Sequence, residues 1–171
     1  MVEALIGSVA AILVVQRLVE LALARRNRQW VVALGAKEYG ARHYPLFFLL
    51  HGAWMAGWIT EALAGVPELS GWWPVWLVLF GVAQSLRYWC IYSLGYYWNT
   101  RILVVPGATA IRKGPYRYLP HPNYVAVALE LAAVPLLFGC WITAAVATLA
   151  NGVLLIAVRI PEEEAALKLL R

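Results

Sequence analysis

Long apolar stretches alternate with short polar connections along this chain. They run from about Val2 to Ala24, Tyr44 to Ala64, Trp72 to Leu94, Pro122 to Phe138 and Cys140 to Val158. Each approaches the roughly 20 residues that a helix needs to cross a hydrocarbon core about 30 Å thick. The pattern therefore predicts an all-α integral membrane protein with five transmembrane helices. Only Phe138-Gly139-Cys140 separates the last two stretches, which predicts a tight hairpin between helices four and five. Glu3 stands where a signal peptide carries basic residues, and no small-residue cleavage site follows, so the first stretch reads as a retained span. With no fixed-period repeat, residues 1–171 read as a single membrane domain.

Composition supports the same solvent. The chain is 63% hydrophobic and 13% charged, which excludes a disordered protein. Its 171 residues leave no room for an added soluble catalytic domain, so any chemistry must be built from the helices and their connections. The net charge of +5 includes no basic run apart from apolar sequence. It fits lipid headgroups rather than nucleic acid, and nothing points to a required protein partner. Arg25, Arg26, Arg28, Lys37 and Arg42 fill the first connection, Arg101, Arg112, Lys113 and Arg117 the third, and Lys168 and Arg171 the tail; Gly65 to Gly71 has none. The positive-inside rule then places the amino terminus outside and the carboxyl terminus in the cytoplasm. Trp72, Trp73 and Trp76 are expected at the outer interface, and Trp30 with Tyr96, Tyr97 and Trp98 near the inner one. Cys90 and Cys140 fall toward opposite ends of their helices, which argues against a disulfide. No metal-ligand spacing occurs.

Ionisable and amide groups inside spans are costly in lipid and mark pairing or wet cavities. Arg17 and Glu20, His51, Gln84 and Arg87, Glu130, and Asn151 all fall in the cytoplasmic halves of their spans. Either they line one internal pocket open to the cytoplasm, or they serve as glue, with Arg87 and Glu130 forming a buried ion pair and Asn151 bonding between helices. For His51 taken alone, a satisfied packing histidine is the simpler account.

The stretch from Tyr96 to Tyr124 is too polar to span and too apolar to be a free loop, so it should fold back against the bundle. Ile102 to Val105 is β-branched, Pro106-Gly107 signals a turn, and Ala108 to Ile111 could return as an extended segment. After the break at Gly114-Pro115, two prolines bracket His121, and Pro122 suits a first helical turn.

The string Gly114-Pro115-Tyr116-Arg117-Tyr118, followed by His121-Pro122-Asn123-Tyr124, and Arg159-Ile160-Pro161-Glu162-Glu163-Glu164 at the end of the last span, resembles the isoprenylcysteine carboxyl methyltransferase family. In the amino-terminal half, Gly35 to Gly40 and His43-Tyr44-Pro45 are more similar to a bacterial branch associated with O-methylation of alkylpyrones. The resemblance implies a multi-pass protein of the bacterial plasma membrane with a re-entrant cytoplasmic cofactor-binding segment. Such a protein transfers a methyl group from S-adenosylmethionine to a lipophilic acceptor without a Rossmann fold. The sequence carries no glycine-rich dinucleotide fingerprint. By the resemblance, cofactor contacts fall on Ala108, Thr109, Ala110, Ile111, Tyr116, His121, Pro122, Asn123, Tyr124 and Glu163, and Arg159 matches the acceptor position. Arg87 and His51 join Arg159 as candidate acceptor contacts.

The cofactor needs an anion for its ammonium, donors for its carboxylate and a slot for its adenine. Glu163 supplies the first, and His121, Asn123, Tyr124 and the amino end of helix four the second. Tyr116 and the segment before it supply the third. Arg159 and Glu163, four apart, share a helix face. A carboxylate or acidic enol acceptor arrives ionised and needs only Arg159 for orientation. A weakly acidic hydroxyl needs a base, for which Glu130 and His51 are the candidates. Outside this class, the polar pocket could instead hold a lipid or small ligand without catalysis.

Overall fold

The computed structural model describes residues 1–170; the tail residue Arg171 lies outside them. Helix α1 spans Val2–Ala33. It passes the expected end of the first span because no glycine or proline follows Ala24 until Gly35. There the Gly35 N–H bonds the Val32 carbonyl at 2.9 Å and the Ala36 N–H bonds the Val31 carbonyl at 3.0 Å, a Schellman-type stop. Strand β1, Lys37–Tyr39, leads into α2, Tyr44–Ala64. Next come α3, Trp73–Leu94, a 3₁₀ turn at Gly95–Tyr97, β2 at Ile102–Val104 and a second 3₁₀ turn at Gly114–Arg117. Helix α4, Pro122–Leu137, turns through Phe138-Gly139-Cys140 into α5, Trp141–Leu154, so the tight hairpin is present. A π-turn at Leu155–Arg159 joins α5 to α6, Ile160–Leu167.

Val2–Ala33, Tyr44–Ala64, Trp73–Tyr97 and Trp141–Leu167 are each long and apolar enough to cross a membrane. Their outward faces carry Ile12, Leu18, Leu49, Ile142, Leu149 and Ile156, all at least 60% exposed, a surface suited to lipid rather than water. This is an integral membrane protein. Helix α4 is shorter, with 16 residues, about 24 Å at 1.5 Å per residue. It sits between α3 and α5 and buries Glu130, Leu131, Val134 and Leu136 among others.

The core joins α1, α2, α4 and α5. Trp58 stacks on Phe138 with ring centroids 5.4 Å apart, and the Trp54 indole donates to the Leu131 carbonyl at 3.0 Å. Glu61 accepts from the Ile142 and Thr143 N–H groups at 3.1 and 2.8 Å, capping α5 from a neighbouring helix. Cys90 and Cys140 are both free and buried.

The fold differs from a purely helical one in one respect. Ile102–Val104 does not pair with Ala108 to Ile111. It pairs antiparallel with β1, Lys37 opposite Val104 and Tyr39 opposite Ile102. Residues 108–111 run without regular structure. The longer-range partner fits the burial: Ile102 and Val104 pack with Ala166 of α6, and Arg101 pairs with Glu38 across the ladder. The Gly107 N–H also bonds the Leu169 carbonyl at 2.9 Å, so the connection folds back on the bundle as its composition suggests. Trp30 packs against Tyr96 and Tyr97 at 5.2 and 5.3 Å, whereas Trp98 is buried.

Candidate active site

The site begins with a turn that only glycine can make. Gly114 has φ +58°, and a Cβ there would lie 1.9 Å from Ser93 Oγ and 2.9 Å from Trp89 Nε1 of α3. The chain therefore lies directly on α3, and Pro115, buried, holds the following turn. Tyr116 is set beside Cys90. Burial, reinforced by that thiol, pushes its phenol well above the ordinary tyrosine range, so it presents a neutral hydroxyl.

Four residues past the turn, at His121, the chain enters α4, whose first residue is Pro122. The proline gives up an N–H that has no helical partner at this position. The His121 ring stacks on Tyr124, 5.3 Å between centroids and 16° between planes. Its Nδ1 is 4.0 Å from Glu163 and its Nε2 3.5 Å from Glu164. That Nε2, and Oδ1 of Asn123, are buried with no hydrogen-bond partner among the described residues. Since buried polar atoms normally find partners, both suit a ligand.

The other wall is the face of α5 and α6. Asn151, Leu155, Arg159, Glu163 and Leu167 all line one cavity, each four residues from the next. On a regular α-helix of 3.6 residues per turn, each step of four overshoots by about 40°, and such a stripe drifts off its face. The π-turn at Leu155–Arg159 takes up the drift. Its cause is Pro161, which has no N–H for the Ala157 carbonyl and whose ring crowds that carbonyl.

At the cavity mouth Arg159 donates through Nε to the Tyr124 hydroxyl at 3.0 Å and through Nη2 to the Thr100 carbonyl at 3.0 Å. The Tyr124 hydroxyl donates to Glu163. The Arg159 guanidinium also lies 5.8 Å from the Phe47 ring centre. Thr100 is held by Tyr44, hydroxyl to hydroxyl at 2.8 Å. Thr100 does not stand out in the sequence, and Tyr44 does so only within the His43-Tyr44-Pro45 string, because their contact arises only where a connection meets a helix start.

The polar residues at span depth divide into two sets. Arg17 and Arg87 pair with Glu20 and Glu130: Arg17 to Glu20 at 2.5 Å, Arg87 to Glu130 at 2.9 Å and Arg17 to Glu130 directly. Gln84 donates to Glu130 at 2.7 Å, and Gln16 donates to Gln84 at 2.7 Å. Glu130 thus spends both oxygens on this network and does not line the cavity; Arg87 lines it while bound to the network. His51 and Asn151 stand outside the network and face the cavity. His51 Nδ1 is 2.7 Å from the Phe47 carbonyl.

The cavity has a volume of about 850 Å³. Ala108, Thr109, Ala110, Ile111, Tyr116, His121, Asn123, Tyr124, Arg159, Glu163 and His51 all reach it, while Pro122 shapes the helix entrance without lining it. One end holds a carboxylate, two orphaned polar atoms and aromatic rings, a donor set that fits an ammonium, a carboxylate and a flat heterocycle. The other end, between α1 and α2, is walled by Val14, Leu18, Phe48 and Met55 and suits an apolar chain.

Comparison with known proteins covers both halves of the chain. An uncharacterized protein of Bacillus subtilis (strain 168), YpbQ, is 44% identical over 158 residues, 92% of this chain and 94% of the relative. An uncharacterized protein of Haemophilus influenzae is 30% identical over 152 residues, 88% of each. No solved structure matches the chain. The family model described as isoprenylcysteine carboxyl methyltransferase (ICMT) matches residues 75–169, more than half of the chain. That segment takes in the glycine turn, the mouth of α4 and the Arg159–Glu163 face, and the chain belongs to the ICMT family of membrane methyltransferases.

Proposed function

We propose that the protein transfers a methyl group from S-adenosylmethionine to an oxygen of a lipophilic acceptor, a hydroxyl or enol such as that of an alkylpyrone. The observation that carries this reading is the meeting, in one cavity, of His121 and Tyr124 from the start of α4 with Arg159 and Glu163 from the end of the last long helix. Helix α4 is read as a fifth crossing, shortened because protein covers much of it. The basic connections are read as cytoplasmic, so the cofactor enters from that side and the acceptor's tail from between α1 and α2.

Bound S-adenosylmethionine supplies a methyl carbon already activated by its sulfonium. Glu163 neutralises the ammonium of the amino-acid part. His121 Nε2, the Asn123 side-chain amide through Nδ2 and the Asn123 backbone N–H hold its carboxylate, helped by the helix dipole. Tyr116, kept neutral, and residues 108–111 wall the adenine. Arg159 orients the acceptor oxygen and stabilises its charge, and the apolar walls exclude water. His51, with Nδ1–H donating to the Phe47 carbonyl, leaves Nε2 free to accept the proton of a hydroxyl acceptor. Glu130 is saturated by Arg17, Arg87 and Gln84 and is assigned to holding that network. A base at the cavity wall favours a hydroxyl acceptor over the carboxylate of a prenylated cysteine, which needs none.

Labelled S-adenosylmethionine tests the reading. Saturable binding to detergent-purified protein is expected, lost in Glu163→Ala and His121→Ala. No saturable binding at millimolar cofactor overturns it. Transfer assays on an alkylpyrone and a farnesylated cysteine analogue then separate the acceptors.

A further inference from the structure

Asn151 is 1% exposed, and neither its Nδ2 nor its Oδ1 has a hydrogen-bond partner among the described residues. The other amides at this depth behave differently: Gln16 and Gln84 bond each other, and Gln84 also bonds Glu130. An amide kept for helix association finds partners in neighbouring helices; this one is buried, lines the cavity and bonds no helix.

Its level in the bundle follows from the contacts between α2 and α5. Near one end Gly57 faces Thr143, and near the other Phe47 faces Arg159. The helices run antiparallel, and both His51 and Asn151 fall between these two contacts. Around them the wall is apolar, with Trp54, Met55, Val127 and Leu155. Two polar groups therefore face the acceptor end from opposite helices, and the charged network supplies the rest.

Resting on the methyltransferase reading, we propose that Asn151 binds a second, non-reacting oxygen of the acceptor. The acceptor class is then a hydroxyl or enol with a carbonyl on the same flat head group: Arg159 and His51 serve the reacting oxygen, and the carbonyl accepts from Asn151 Nδ2. A head group with a single oxygen leaves the amide as unpaired as it is now, and a site built to bond two oxygens discriminates against one.

The test uses the full-length protein in detergent, Asn151→Leu, and two probes of equal chain length, a 4-hydroxy-6-alkyl-2-pyrone and a 3-alkylphenol. Dissociation constants are read from tryptophan fluorescence, and kcat/KM from methyl transfer. The variant is expected to weaken pyrone binding about ten- to hundredfold, as for one or two lost hydrogen bonds, and to leave phenol binding within about twofold. Its melting midpoint should be unchanged or raised, since leucine removes an unpaired amide. An equal loss on both probes, no loss on the pyrone, or a lowered melting midpoint with unchanged pyrone affinity overturns the proposal. S-adenosylmethionine binding is measured alongside: its absence in the unaltered protein counts against the methyltransferase reading itself, while its retention with any of those three outcomes counts against Asn151 alone.

Discussion

Arg159 and Glu163 are bridged by one phenol: the Tyr124 hydroxyl accepts from Arg159 Nε at 3.0 Å and donates to Glu163. Without it the two charges, 4.0 Å apart, would turn to each other and close the site on itself. Tyr124→Phe is therefore expected to weaken S-adenosylmethionine binding about tenfold, the scale of a hydrogen bond to a charged group. Calorimetric titration checks it, and unchanged affinity removes the bridge from the account.

The π-turn is open to a direct test. Pro161→Ala restores an N–H that can bond the Ala157 carbonyl and lets α5 and α6 join as one regular helix. One residue less in the bulge rotates Glu163 and Leu167 by roughly 100° away from the cavity. The melting midpoint should hold or rise, since proline is unfavourable inside a helix, while cofactor affinity falls at least about tenfold. A variant as active as the parent shows that the register does not depend on Pro161.

The four-charge network predicts a stability effect. Glu130→Gln keeps the shape but leaves Arg17 and Arg87 with Glu20 as their remaining carboxylate. Breaking a buried pair this way costs about 3–5 kcal/mol. Detergent melting should show the loss, and adding Arg17→Met should recover part of it. A neutral Glu130→Gln would mean that water already reaches these charges.

His43 precedes α2, and its Nε2 is buried without a hydrogen-bond partner among the described residues. Burial, and then the Arg159 charge, hold its pKa below the ordinary histidine value, with Glu162 acting the other way. As pH falls below about 6.5, the unfolded chain takes up a proton that the folded one resists. Stability is therefore full above that pH and declines as pH drops toward the lower folded value. Melting midpoints between pH 7.5 and 5 should show the decline in the parent and a flatter curve in His43→Gln. Identical curves would assign the slope to another group.

Much of this was legible from residue order alone. Apolar runs of span length, the three-residue turn between α4 and α5, and the sites of Gly114, Pro122 and Pro161 are local matters of hydropathy and backbone freedom. So is the spacing that puts Arg159 and Glu163 on one face. What residue order left open depended on which elements meet. The pairing of Ile102–Val104 with Lys37–Tyr39 joins segments more than 60 residues apart, and a two-strand ladder carries too few residues for a pattern to name its partner. The division of the polar groups was only half visible: the Arg87–Glu130 pair stood among the alternatives, but Asn151, placed with it as an interhelical contact, has no such partner among the described residues. The helix packing surrounds Glu130 with two guanidiniums and leaves Asn151 facing open space, because hydrogen bonds and charge pairs are settled by distance across helices and not by position along one.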